Sequence, residues 1–406
     1  MKPAFCFRLA VLCALLAGCK SVEIRESESP ALLTASNNVA ESELLDIEIV
    51  VFDPGLENID SDLIFPDVRK AEAVFIPTQL ANTLVDQGSW GAVRVVPRDR
   101  QSSDLSLSGK ILHSDGQELA ISVKVVDARG LVWLDKRYQG VTNKHVYNQS
   151  TINSRDPFLG VYRKVANDLL AALELVKIAD RRKIRQIAEI RFARDFSSVA
   201  FSDYLERNDS GFLSLRRLPA EDDPMLSRIR VLRQRHHIFV DTLQVHYDSF
   251  SEQMSEPYDE WRKKSWEELD DLRRLERESQ QEIIAGGVAI VGGILASTSD
   301  NRATRTAGTV GVMGGGALIK SGVSKRNQAK VSSLTLEEFG QDLGRAVTPR
   351  TVELQDRTVR LTGSVEDQYD QWRELLADIY AAELAALEPP AGAADNTTAT
   401  SDAQDS

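Results

Sequence analysis

The run Glu118-Leu119-Ala120-Ile121-Ser122-Val123-Lys124-Val125-Val126-Asp127 sets Ile121, Val123 and Val125 in alternation with Ser122, Lys124 and Val126. A period of two marks a strand with one buried face. Runs of similar character lie on either side, over 104–113 and 131–141, separated by Ser114-Asp115-Gly116 and Ala128-Arg129-Gly130. Each separator reads as a tight turn with glycine where a positive φ is cheap, so the three runs predict a meander. Upstream, Asp46-Ile47-Glu48-Ile49-Val50-Val51-Phe52 predicts a strand ended by Asp53-Pro54-Gly55. A helix is expected over 71–87, with Pro77 at a turn boundary or kink and Gly88 as its stop, followed by a strand over 90–97. Residues 44–150 therefore read as a small α+β domain, an antiparallel sheet with a helix.

Downstream the pattern turns helical. Asp156-Pro157 places a carboxylate at a helix cap and proline in the first turn. Phe158, Val161, Tyr162, Val165, Leu169 and Leu173 then mark one apolar face, and helical patterning continues through Arg194. Within it Arg181, Arg182, Lys183 and Arg185 form a basic cluster diluted by Asp180 and Glu189. That cluster reads as a solvated face, with contact to lipid phosphates as the alternative. Asp223-Pro224 repeats the helix opening, and helical patterning runs over 225–281, with Pro257 a place for an interruption. The segment 261–281 is dense in Glu, Lys and Arg around a sparse seam of Trp266, Leu269, Leu272 and Leu275, which predicts an exposed coiled-coil-like arm.

The composition then changes abruptly. Residues 283–296 and 307–319 are apolar, rich in glycine and free of charge, with a polar bend over 297–305 between them. Polar helical patterning resumes over 325–346, so 151–345 is expected to be a mainly helical domain with a long hairpin whose glycine-rich part spans 283–322. Gly286 and Gly293 are seven residues apart, as are Gly308, Gly315 and Gly322, with Gly311 between the first two of these. On a helix such glycines form a smooth stripe that admits another backbone at close range. Each costs about 1 kcal/mol relative to alanine inside a helix, so close packing has to offset it. Each run is about a dozen residues long, whereas a helix needs about twenty to cross a bilayer. Shallow insertion, a self-packed tip, and burial against the body or within an oligomer all fit that length. After Pro349 a strand pair (351–354 and 358–362) and a helix (365–387, with Trp372, Leu375, Leu376, Ile379 and Tyr380 on one side) make a terminal unit over 346–388. Residues 389–406, dominated by Ala, Thr, Ser and Asp, read as a disordered tail.

The beginning of the chain carries an address. Lys2 and Arg8 precede an apolar run over 9–16 and the small residues of Leu16-Ala17-Gly18-Cys19. That order predicts a secretory signal over 1–18. Its ending resembles the lipobox of Gram-negative envelope lipoproteins. The resemblance implies cleavage between Gly18 and Cys19, a diacylglycerol on the Cys19 sulfur and acylation of the new amino terminus. Lys20 after the cysteine, where Asp would signal retention in that family, implies the outer membrane, periplasmic side. Residues 19–43 then read as a flexible tether. The glycine-rich runs resemble the glycine-zipper segments of bacterial envelope lipoproteins, in which two such runs form a membrane-associating hairpin. By element order and by Asp104-Leu105-Ser106-Leu107-Ser108-Gly109, residues 44–150 resemble the sheet-and-helix domain of periplasmic lipoproteins such as transport-auxiliary and TolB-N-like modules.

Composition excludes several classes. The formal charge of -12 falls to -14 once Lys2 and Arg8 leave with the signal, so nucleic acid is not an expected partner. Cys6 and Cys13 leave as well and Cys19 takes the lipid, so no disulfide or thiolate metal site is expected. Gly311-Val312-Met313-Gly314-Gly315-Gly316 lies near Lys320-Ser321, but Ile319 stands where a phosphate loop needs glycine. His236 and His237 point about 100° apart on a helix, and with His246 and Asp241 they form no His-Glu-x-x-His pattern. Glu267-Glu268 and Asp270-Asp271 read as a solvated face, and no Gly-x-Ser-x-Gly element is present. No catalytic residue, metal or cofactor is expected. Of Trp90, Trp133, Trp261, Trp266 and Trp372, the pair Trp261 and Trp266 is the one expected to meet lipid head groups or a partner. The expectation is a non-enzymatic lipoprotein with a structural, assembly or accessory role, bound to membrane by its lipid and to copies of itself or an envelope protein. The alternative is an auxiliary subunit of an envelope transport or secretion system.

Overall fold

The computed structural model describes residues 29–35, 40–58, 66–100, 103–142, 146–147, 156–220, 222–296, 350–354 and 357–385. Strands β1 (Ile47–Val50), β2 (Val93–Val96), β3 (Leu105–Ser114), β4 (Glu118–Asp127) and β5 (Val132–Val141) form one sheet in the order β2-β1-β3-β4-β5. The meander is antiparallel, with Ile121 of β4 opposite Ile111 and Tyr138. Strand β1, however, runs parallel to both neighbours, Ile47 lying between Val93 and Leu105. The fold is α+β, with a mixed sheet where an antiparallel one was expected.

Helix α1 (Pro66–Gln87) supplies the crossover that a parallel pair requires. It starts five residues earlier than expected and passes through Pro77 without a break. A proline at 77 cannot donate to the carbonyl of Ala73, and that carbonyl accepts instead from the Phe52 amide at 2.9 Å. The helix is thereby tied to the end of β1, and most of its residues are buried.

Helices α2 (Leu159–Glu174) and α3 (Ile178–Phe196) replace the single helix expected through Arg194. Arg181, at the start of α3, donates to the carbonyls of Leu173 and Val176 and so satisfies groups that the end of α2 leaves open. Helix α2 packs on β5 and α1, so the division expected at 150/151 does not separate two cores. One cluster of buried apolar side chains runs from Leu45 to Tyr380. Within the segment expected as a tether, 19–43, residues 29–35 lie against the body. Leu33 N and Ala31 O bond to the Asn167 side chain, and Gln87 donates to Leu33 O.

A short hairpin of β6 (Leu205–Arg207) and β7 (Leu213–Leu215) follows α3. Helix α4 (Pro224–Ala296) is then unbroken for 73 residues, Pro257 included, a length of about 110 Å at 1.5 Å per residue. Strands β8 (Arg350–Leu354) and β9 (Arg357–Leu361) pair, and helix α5 (Val365–Ala385) returns to pack on α4.

Candidate functional site: the seat of the long helix

Helix α4 is the element that sets this fold apart, and its contacts with the body are built from specific polar groups. Where it crosses strand β2, Gln244 accepts from Val95 N at 2.7 Å and donates to Val95 O at 2.8 Å. Its amide thus acts as a neighbouring strand and blunts the sheet edge. Beside it Arg94 forks onto Asp241, with a shortest distance of 2.6 Å. About two turns further along the same face, Gln79 of α1 donates to the Ser251 hydroxyl at 2.8 Å.

A second, buried polar cluster holds α4 near its middle. Arg262 has no solvent exposure. Its guanidinium lies 3.1 Å from Asp156 and 3.6 Å from Asp259, and 3.7 Å over the ring of Tyr258. Burial pulls that cation down, but Asp156 and the tyrosines around it outweigh burial and hold it well above its ordinary pKa. The Tyr258 hydroxyl donates to Glu72 of α1 at 2.5 Å, and Ser114 at the end of β3 donates to the same oxygen at 2.6 Å. Helix, sheet and α1 therefore meet on one fully buried carboxylate.

Gly116, in the β3–β4 turn, was expected to supply a positive φ, but it is not among the left-handed glycines of the described residues. A Cβ at that position would collide with the Arg262 carbonyl oxygen and the Trp266 amide nitrogen. Glycine is there because the helix backbone lies directly against the turn. Gly130 in the next turn does have φ +90°, as the sequence predicts. Gln117 and Tyr147 complete the seat, donating to the carbonyls of Trp266 and Gly116.

A third contact joins α4 to α5 over the sheet. Phe239 stacks on Trp372 with ring centroids 4.9 Å apart, and His236 lies 5.7 Å from Tyr369 and 5.8 Å from Phe192. Burial, reinforced by nearby Arg373, holds His236 well below its ordinary pKa. His237 is pushed down to about 4 by burial and by Arg233. Both rings are neutral and belong to packing. Glu48 of β1 faces this region, and burial lifts its carboxyl to about 7 against the pull of Arg233. Asp104 is lifted to about 6 in the same way. No group of three metal-ligating side chains gathers among the described residues.

The residues singled out in the sequence fall unevenly on this frame. Gly286 and Gly293 lie on the last turns of α4, whose backbone is helical to Ala296. Leu16, Ala17, Gly18, Cys19, Gly308, Gly311, Gly315 and Gly322 lie outside the described residues. Trp261 is not available to lipid or partner, being 4% exposed and stacked on Tyr258. The basic cluster of α3 lies on a solvated face, as expected, with Arg182 and Lys183 mostly exposed and each holding a partner. Arg182 pairs with Glu43, Lys183 with Asp180, and Arg185 donates to the carbonyls of Ser42 and Leu44. No helix among the described residues is long and apolar enough to cross a membrane.

What sequence reading missed is the pairing of Glu72 with Tyr258 and of Arg262 with Asp156. The signal was present as Met254, Tyr258, Trp261 and Arg262 at helical spacing. The chain matches no protein-family model and no curated protein.

Proposed function

We propose that the protein is a lipid-anchored envelope lipoprotein with a structural, assembly or accessory role, attached through Cys19 on the periplasmic side of the outer membrane. Its second contact, with membrane or with another copy, is made by the glycine-rich segment that α4 carries. The single observation behind this reading is the unbroken course of α4. Its seat on the body reaches Trp266, and the helix then continues for 30 more residues to Ala296. At 1.5 Å per residue that is about 45 Å of arm. The charge-free residues 283–296 form its end, and side chains of that kind are costly to leave in water. On this reading the water-compatible body is seated along the first part of α4 and the apolar segment lies at its far end.

The test substitutes Gly308→Leu together with Gly315→Leu in the full chain and follows vesicle flotation and crosslinked oligomer size. Bulk on the small-residue stripe should abolish one or both while near-ultraviolet dichroism of the body stays unchanged. Unaltered flotation and unaltered oligomer size would remove the role given to the glycine-rich segment.

A further inference from the structure

Two clefts that share Leu213 make up a groove between α3 and the β6–β7 hairpin. Asp180, Lys183, Ile187, Arg191 and Arg194 follow one another at spacings of three and four along α3 and line one wall. Such spacing keeps them on one helical face, and from first to last they span about 21 Å. The hairpin forms the other wall. It is held in place by the β4–β5 turn, where Asp127 accepts from the Arg129, Leu131 and Trp133 N–H groups. The Arg129 carbonyl in that turn in turn accepts from Leu213 N at 2.8 Å.

The two ends of the groove differ in chemistry. One, of about 590 Å³, is lined by Leu131, Ile187, Phe212, Leu213, Leu215 and Leu218, and Leu218 is 53% exposed. At its rim Arg129 is paired with Asp127, Lys183 with Asp180, and Arg217 lies over the Tyr204 ring. The other end, of about 470 Å³, is lined by Arg100, Arg191, Arg194 and Arg207 with Asp195 and Glu206; Arg100 also pairs with Asp370 at 2.9 Å, Asp195 with Arg373 at 3.0 Å, and Arg207 donates to the Gly211 carbonyl. Leu213 lines both. Each volume falls in the range of small-molecule sites. An excess of arginine in one cleft is notable on a chain of net charge -12. Arg191 bonds to the Ala128 carbonyl at 2.8 Å, and burial draws its guanidinium below the ordinary value.

We propose that this groove binds a phospholipid-class amphiphile, its phosphate at the arginines and its hydrocarbon along the leucine-lined end. Guanidinium forks match phosphate oxygens in pairs, and the apolar half gives a free phosphate nothing to bury. The site rests on the groove alone, so an unmodified Cys19 would leave it standing.

The experiment titrates the full mature chain, kept in a neutral maltoside detergent, with dihexanoyl phosphatidic acid below its micellar concentration. Native mass spectrometry counts the bound lipid. Inorganic phosphate and dihexanoylglycerol serve as the two half-ligands. One lipid per chain is expected, with each half-ligand at least tenfold weaker. Arg194→Gln with Arg207→Gln should weaken lipid binding at least tenfold, as should Leu218→Glu alone. Arg207 and Leu218 are exposed and Arg194 is half-buried, and an unchanged thermal transition checks that the variants fold. Phosphate binding as tightly as the lipid would overturn the amphiphile, leaving only an anion subsite. Dihexanoylglycerol binding equally well would overturn the role of the arginines. Variants that bind like the parent chain would place the lipid elsewhere.

Discussion

Replacing Arg262 with methionine removes the buried cation that ties α4 to the start of α2. The side chain volume is nearly kept, but Asp156 and Asp259, at 3.1 and 3.6 Å from the guanidinium, lose their counter-charge. Tyr258 also loses the cation over its ring. Breaking a buried pair from one side costs about 3–5 kcal/mol, because the remaining charge stays desolvated. For a body of this size about 2–4 °C of melting temperature accompanies each kcal/mol, so Arg262→Met should lower the transition by about 6–20 °C. Urea denaturation followed by two optical probes measures the loss. Hydrogen exchange should locate it, with protection falling along α4 around Tyr258 and in the β3–β4 turn before it falls in β4. Adding Asp156→Asn to Arg262→Met should recover about 1–2 kcal/mol, since it removes one stranded carboxylate. A loss under about 1 kcal/mol, or a double variant no better than the single one, would show that packing alone seats the helix.

Two further substitutions probe the same body. Gly116→Leu drives a side chain into the backbone at Arg262 and Trp266; overpacking of this kind costs about 1–3 kcal/mol. Exchange along α4 beyond Tyr258 should rise, and unchanged exchange there would show that the turn does not hold the arm. Glu48 binds its proton up to about pH 7 in the folded chain against an ordinary 4.5, so the folded state holds more protons than the unfolded one between those values. The contribution of this group is therefore full below about pH 4.5 and is lost as pH rises toward 7. Glu48→Gln should gain on the parent chain in stability across that window, read by denaturation at a series of pH values. A difference that is flat, or that runs the other way, would refute the buried, protonated carboxyl.

Some of this fold is visible in the residues and some is not, for physical reasons. The meander is legible because Ile121, Val123 and Val125 alternate with polar residues and Gly130 marks its turn. The parallel pairing of β1 is not, because contact between Ile47 and both Val93 and Leu105 leaves no local periodicity. The β6–β7 hairpin escapes notice for a similar reason, since strands of three residues are too short to show a period. Arg262 was hidden by its neighbourhood: a stretch crowded with Glu, Lys and Arg reads as solvated, yet one face of it carries Tyr258 and Trp261 into the core. Pro77 looked like a break because its missing donor shows in sequence while the Phe52 amide that takes up the freed carbonyl does not.

We propose that a lipid on Cys19 holds an otherwise water-compatible body at the membrane while α4 carries a second contact outward. Intact-mass and peptide mass spectrometry of the mature chain decides whether that lipid is there. The expected first residue is Cys19, bearing a diacylglycerol and an acylated amino group. A mature chain that retains Leu16-Ala17-Gly18, or begins at Cys19 with an unmodified thiol, would contradict it.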